Sequence, residues 1–137
     1  MNSNKWIGEM LHRQGIENWL SSEAVEKVYG RLIEIAKKGR GATISYGEVM
    51  AIADLDRENT FEREQVLGRM LGGISQHEME SGRPLLSSIV VYSTKPRMPG
   101  PGFFELFNNG REDVAWLNTV LEETWKYWSG NKHDKTA

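Results

Sequence analysis

The sequence predicts an α+β domain, a winged helix-turn-helix with an N-terminal helical extension and a C-terminal helix. Three observations predict this class. Two helical segments follow a short strand at residues 43–44, a β-branched run lies at residues 89–92, and a loop rich in proline and glycine fills residues 94–102. In winged helix-turn-helix proteins the second helix of the pair reads DNA and a hairpin forms the wing. A generic α+β domain with the same elements is the alternative.

The composition excludes several classes of protein. The chain has 137 residues, 39% of them apolar and 26% charged, with a net charge of -2 and no cysteine. Without cysteine there is no disulfide framework, thiolate metal site or cysteine nucleophile. No apolar run approaches the roughly 18 residues of a membrane span, and the N-terminus lacks the apolar core of a signal peptide. We therefore expect a cytoplasmic protein of bacterial type, with no membrane partner.

The chain divides into three predicted parts: a helical extension at residues 1–20, the winged-helix domain at 21–128 and a disordered tail at 129–137. In the extension, residues 4–13 place their apolar side chains on one helical face, and Gly15 ends that helix. In the domain, Ser21 begins a helix that closes with lysines and Gly39, which is typical of a C-terminal cap.

The helix pair begins at Ser45, where Ser45 and Glu48 fit a capping box for a short helix that runs to about Asp54. Asn59 or Thr60 caps the next helix. That second helix is predicted from about Phe61 to Ser81, with Leu67, Met70, Leu71 and Ile74, together with the stem of Glu78, facing the core.

The C-terminal half begins with a buried strand predicted within Leu85 to Ser93. Residues 103–107 fit either a returning strand or a short helix, and the strand is favoured. A last helix runs from about Glu112 to Trp128, with Val114, Leu117, Val120, Leu121, Trp125 and Trp128 facing inward. The five tryptophans lie near the two ends of the chain, where they are predicted to be core, or alternatively a partner surface.

Two stretches resemble a known family. Residues 43–49, Thr-Ile-Ser-Tyr-Gly-Glu-Val, and residues 66–71, Val-Leu-Gly-Arg-Met-Leu, resemble the winged-helix domain of DNA alkyltransferases and alkyltransferase-like proteins. Pro84 and the following strand stand where that family has its Pro-Cys-His-Arg-Val strand. In place of that family's cysteine, histidine and arginine, this sequence has Leu85, Leu86 and Ser87. Gln65 stands near the position where that family has the arginine that pushes a base out of the duplex. The resemblance implies the fold and DNA binding without the repair reaction.

A group of small bacterial and phage proteins is similar over residues 43–107. The shared pattern is Tyr-Gly-Glu at 46–48, Leu-Gly at 67–68, Gly-Arg-Pro-Leu-Leu at 82–86 with Val-Val at 90–91, and Pro-Gly-Pro-Gly-Phe at 99–103. This similarity implies a bacterial or phage origin and a shared fold, with no known reaction.

One face of the second helix carries the residue types that read DNA bases. Gln65, Arg69, Gly72 and Gln76 lie opposite the core stripe, at i, i+4, i+7 and i+11. Arginine can make two hydrogen bonds to the edge of guanine, and glutamine can make two to the edge of adenine. The pair Gly72-Gly73 would let a DNA backbone approach closely. The alternative is an ordinary solvated face, because Glu62 and Glu80 flank it and repel phosphate.

Other residues are candidates for holding the phosphate backbone. Lys95 and Arg97 lie on the proline-rich loop, while Ser45 and Tyr46 lie at a helix start. For Lys95 and Arg97, the alternative is that the loop is a stiff hairpin tip whose cations have no function. For Ser45, the alternative is that it only caps its helix. Arg57 completes the predicted set. From residue 57 to 97, six arginines and lysines stand against five glutamates, a net charge of +1, which predicts no strong non-specific affinity.

No catalytic, metal or cofactor motif is present. His77 lies beside Glu78 and Glu80, but no second histidine completes a His-Glu-x-x-His site. The sequence thus predicts a non-enzymatic protein that binds duplex DNA, modified or structured DNA included. In this prediction the DNA bases are read by Gln65, Arg69 and Gln76. The phosphate backbone is held by Tyr46, Lys95 and Arg97. The alternative is a protein-interaction module acting on a restriction or phage-defence component.

Overall fold

The computed structural model describes residues 4–56 and 60–130. They form an α+β structure that is mostly helical, with one two-stranded sheet. None of the helices in this part of the chain is long and apolar enough to cross a membrane. The elements in chain order are α1 Lys5–Gln14, α2 Ser22–Lys37, β1 Ile44–Ser45, α3 Tyr46–Ile52, α4 Phe61–Glu80, a 3-10 helix Leu86–Ile89, β2 Val90–Val91, α5 Pro101–Phe107 and α6 Val114–Ser129.

The helices with clear terminal signals lie close to their predicted bounds. The Ser21 hydroxyl accepts from the Ala24 amide at the start of α2, and Gly15 ends α1 in a left-handed conformation with φ of 71°. The buried face of α1 belongs to the same core as α2 and α4, so the N-terminal extension packs directly on the rest of the protein. Ile7, Met10 and Leu11 form that face.

The helix pair begins as predicted. Ser45 and Glu48 form the capping box, and the Thr60 hydroxyl accepts from the Arg63 amide at the start of α4. Helix α3 ends at Ile52, earlier than predicted, because Asp54 adopts a left-handed φ of 61° that interrupts the helix. Asn59, the alternative cap, lies outside the described residues.

The sheet differs from the predicted hairpin. Val90–Val91 pairs in parallel with Ile44–Ser45, and Leu86–Ile89 is a 3-10 helix rather than part of a longer strand. All six residues from Leu86 to Val91 are buried, so this segment has no polar face. A segment that is buried on all sides, its two serines included, does not show the alternation that separates strand from helix.

The strand favoured at residues 103–107 is wrong: this segment is the helix α5. Pro101 occupies the first turn, where its fixed φ suits a helix and its missing N–H costs nothing. Phe103 and Phe104 are buried in a second, smaller core with Leu117 and Val120 of α6. We call the proline- and glycine-rich loop that precedes α5 the Pro/Gly loop. In the described residues it therefore leads into a helix and not into the second strand of a wing.

Helix α6 begins at Val114, after Asp113 accepts from two first-turn amides. Val114 was predicted to face inward, but its side chain is 55% exposed because the first turn extends beyond the small core. Ser129, assigned to the tail, is the last residue of α6; residues 131–137 lie outside the described part. Among the tryptophans, Trp125 is buried whereas Trp19 is 45% exposed.

The two adjacent glycines of α4 accept side chains from neighbouring helices. A Cβ at Gly73 would lie 2.5 Å from Cγ and Sδ of Met10, and one at Gly72 would lie 2.7 Å from Cδ1 of Leu106. The predicted use of these glycines for a DNA backbone is thus wrong in this structure, because α1 and α5 occupy the space beside them.

We expect Gly73→Ala to destabilise the protein by about 1–2 kcal/mol, because overpacking the buried Met10 side chain outweighs the gain in helix propensity. Gly30→Ala is the matched control: Gly30 lies in α2, and a Cβ placed there would have nothing within 4 Å, so alanine should stabilise by about 0.5–1 kcal/mol. Urea denaturation followed by circular dichroism measures both changes. Equal stabilisation by the two alanines would contradict the close packing of α1 on α4.

Candidate functional site

A groove of about 610 Å³ lies along α4. Its second wall is α5, and it is also lined by residues of α3, by Tyr92, which precedes the Pro/Gly loop, and by Gly100 of that loop. We call it the α4–α5 groove. Ligand sites in proteins are typically concavities of about 300–1,000 Å³ with a largely apolar lining and a few polar groups. The α4–α5 groove has this size and this character.

Two tyrosines and a glycine form one part of the groove lining. The rings of Tyr46 and Tyr92 lie 5.0 Å apart between centroids, and the Gly100 amide donates to the Tyr46 hydroxyl at 2.6 Å. Burial raises the pKa of Tyr46 to about 12, against the opposing effect of the Gly100 hydrogen bond. At neutral pH the Tyr46 hydroxyl is therefore protonated, and its oxygen is the acceptor for Gly100.

The predicted reading face forms the α4 wall of this groove. Gln65, Arg69 and Gln76 all line it, in the order expected from the helical wheel. Nη1 of Arg69 donates to the Gln14 carbonyl at 3.3 Å, so the end of α1 helps to place the guanidinium. Gly72, in the middle of the face, lies under Leu106 of α5. The face is consequently accessible from within the groove rather than as a bare helix surface.

The remaining predicted residues lie elsewhere. The Ser45 hydroxyl accepts from the Glu48 amide in the capping box. Lys95 and Arg97 are exposed on the loop between Tyr92 and Gly100, beside the groove rather than in its lining. Arg57 lies outside the described residues.

The charge of the groove is mixed. Among the described residues that line the groove, Arg69 is the one with a positive charge. Two glutamates also line it, Glu64 of α4 and Glu105 of α5. With two glutamates in its walls, the groove does not continue the positive charge of Lys95 and Arg97. It is better suited to a largely uncharged group than to a row of phosphates.

Sequence reasoning missed the apolar lining and one hydroxyl. Leu67 and Leu71 of α4, Phe103 of α5 and Ser87 all line the groove. The α5 residues were missed because residues 103–107 were assigned to a strand. The available signal was Pro101 two residues before Phe103, since proline is favoured in the first turn of a helix.

A second polar cluster lies where α4 ends. Glu78 is fully buried, and Arg83 holds its carboxylate through Nε and Nη2, both at 2.9 Å. The Tyr29 hydroxyl donates to the same carboxylate at 2.7 Å. His77 stacks on Trp6 with centroids 3.7 Å apart. Hydrogen bonding to Glu78 raises the pKa of Arg83. Burial acts on the other two groups: it raises the pKa of Tyr29 and lowers the pKa of His77. This cluster joins α1, α2 and the turn after α4, and its charges satisfy one another.

Within residues 4–56 and 60–130, no three His, Asp or Glu side chains are grouped so as to hold a metal ion. The α4–α5 groove is therefore taken as the candidate site of the described residues. No protein-family model, curated protein or solved structure matches this chain. Its function therefore has to be inferred from the chemistry of the groove and of the loop beside it.

Proposed function

We propose that this protein is a non-enzymatic DNA-binding protein of the winged helix-turn-helix class. In this proposal α3 and α4 are the helix pair, α4 reads, and the loop between Tyr92 and Gly100 takes the place of the wing. The supporting observation is that Tyr46, Gln65, Arg69 and Gln76, four residues predicted to contact DNA, line a single groove.

The shape of the groove favours DNA with an unstacked base over an intact duplex. Because α5 covers Gly72, α4 does not present its whole reading face to a continuous major groove. A single base that leaves the helix can enter the groove, where Tyr46 and Tyr92 offer aromatic surface and Gln65, Gln76 and Arg69 offer hydrogen bonds. Stacking of a base on an aromatic side chain is worth about 1–3 kcal/mol.

The direct test is fluorescence anisotropy with a labelled duplex that carries one unpaired nucleotide, beside its fully paired counterpart, at about 50 mM salt, where phosphate contacts are strong. We expect tighter binding of the duplex with the unpaired nucleotide, and weaker binding after Arg69→Ala, by about tenfold, because a base contact is worth about 1–3 kcal/mol. Lys27→Ala, an exposed cation of α2 outside the groove, should bind as the wild type does. If neither duplex binds the wild-type protein, the proposed function is wrong.

Salt dependence should identify the phosphate contacts. Lys95 and Arg97 are the cations beside the groove, so we expect the logarithm of affinity to fall with the logarithm of salt concentration with a slope of only about -2. Lys95→Ala or Arg97→Ala should each reduce this slope by about one. If both variants keep the slope of the wild-type protein, the loop does not contact phosphate.

A second candidate function is docking of a protein partner in the same groove. It is favoured by Glu64 and Glu105 in the two walls and by Leu106, whose side chain is 55% exposed at the groove. In this case a stoichiometric partner should be recovered after nuclease treatment and lost in Leu106→Asp. Recovery that depends on intact nucleic acid would count against this candidate.

A further inference from the structure

Ser87 is a buried hydroxyl in the apolar lining of the α4–α5 groove. The residue is 5% exposed, and it shares the groove lining with Leu67, Leu71 and Phe103. A polar atom in such surroundings contributes to specificity, because a ligand that fails to hydrogen-bond with it loses the hydration of both groups without compensation.

The position of Ser87 is fixed by Ser75 of α4, which is fully buried. The two hydroxyl oxygens lie 2.6 Å apart, and the Ser87 amide donates to the Ser75 hydroxyl oxygen at 2.9 Å. Ser75 thus holds both the backbone and the side chain of Ser87. This arrangement fixes the Ser87 hydroxyl at the edge of the groove lining without requiring a ligand to order it.

Counting donors and acceptors indicates what Ser87 offers. The 2.6 Å contact uses one hydroxyl hydrogen, from either serine. If Ser87 donates, both lone pairs of its oxygen remain; if Ser75 donates, one lone pair remains. In both arrangements Ser87 keeps an acceptor, whereas it keeps a donor in only one. The group that suits Ser87 in both arrangements is therefore an N–H or O–H donor.

We propose that Ser87 is a specificity-determining residue that accepts a hydrogen bond from the exocyclic amino group of the base entering the groove. This inference rests on the proposed DNA-binding function. Because Ser87 is nearly fully buried among apolar lining residues, the donor has to project from the edge of the ring, as the amino groups of adenine, cytosine and guanine do. Tyr46 is compatible with the same choice, since its neutral hydroxyl has a hydrogen with no acceptor among the described residues and can donate it to an acceptor nitrogen of the base.

The test compares two duplexes that differ by one amino group. Each carries a single unpaired nucleotide, which is adenine in one and unsubstituted purine in the other. We expect the wild-type protein to bind the adenine duplex about five- to tenfold more tightly, the contribution of one buried hydrogen bond. In Ser87→Ala the two affinities should differ by less than about twofold, because adenine binding weakens and purine binding does not.

Ser88→Ala is the matched control. Ser88 is the next residue and is fully buried, but it lies outside the groove lining and pairs with Thr124 at 3.3 Å between hydroxyl oxygens. It should keep the wild-type preference for adenine. If Ser87→Ala does not fold, Ser87→Cys provides the test, because it keeps a side chain of the same shape, though slightly larger, and replaces the oxygen with a weak acceptor.

The outcomes separate the two proposals. Equal wild-type affinity for the adenine and purine duplexes would overturn the role of Ser87 while leaving DNA binding intact. An adenine preference that survives in Ser87→Ala or Ser87→Cys would also overturn it. Failure of the wild-type protein to bind either duplex would overturn the role of Ser87, and it would overturn the proposed function as well when the fully paired duplex is not bound.

Discussion

Arg83→Met is expected to destabilise the protein by about 3–5 kcal/mol, the cost of removing one partner from a buried ion pair. The reason is the burial of Glu78, whose side chain is 0% exposed, compared with 24% for Arg83. Without the guanidinium, the carboxylate keeps, among the described residues, the Tyr29 hydroxyl alone as a hydrogen-bond partner, in an environment that does not solvate charge. Urea denaturation at neutral pH, followed by circular dichroism, measures the loss as a lower midpoint with an unchanged slope.

The same substitution at an exposed ion pair is the control. Arg40 pairs with Glu122 at 2.9 Å, but their side chains are 79% and 49% exposed. Arg40→Met should therefore cost less than about 1 kcal/mol, as exposed pairs do. If the two variants lose similar stability, the large expected cost at Arg83 does not come from burial of the Glu78 charge.

The helices were predictable where their signals are local. Ser21, Ser45 and Thr60 each accept from an amide three residues later, and this geometry depends only on nearby residues. The pairing of Ile44–Ser45 with Val90–Val91 was not predictable in the same way. It joins segments that lie far apart in the sequence, and neither segment is long enough to show a periodicity of its own.

The candidate site was predicted in part for the same reason. The α4 wall follows from helical periodicity, which placed Gln65, Arg69 and Gln76 on one face. The opposite wall did not follow, because two phenylalanines in succession suit a strand as well as a helix buried on one side. The cluster at Glu78 was missed because its partner Arg83 reaches back only after the chain turns at Gly82, with a φ of 79°. Arg83 is only five residues from Glu78, but a contact made across the turn after a helix leaves no periodic pattern in the sequence.

Phe104→Ala is expected to destabilise the protein by about 3–5 kcal/mol. Phe104 is fully buried and is among the largest side chains with no exposure. Its ring lies 5.6 Å from that of Phe103 and 6.0 Å from that of Trp116, between centroids, so its removal leaves a cavity in the middle of the smaller core. Phe107→Ala, a half-buried position of the same helix, should cost less.

The loss at Phe104 should also remove the second wall of the groove. Helix α5 has seven residues, fewer than a helix needs for stability without tertiary contacts, so it depends on its aromatic side chains for its position. Hydrogen exchange should therefore show faster exchange of the α5 amides in Phe104→Ala, while α1 and α4, which belong to the larger core, keep their order of protection. Unchanged protection of α5 would mean that the helix is held by contacts other than Phe104. Because Leu106 and Phe103 line the groove from this helix, the same variant should lack the proposed preference for a duplex with an unpaired base even where the rest of the protein is folded.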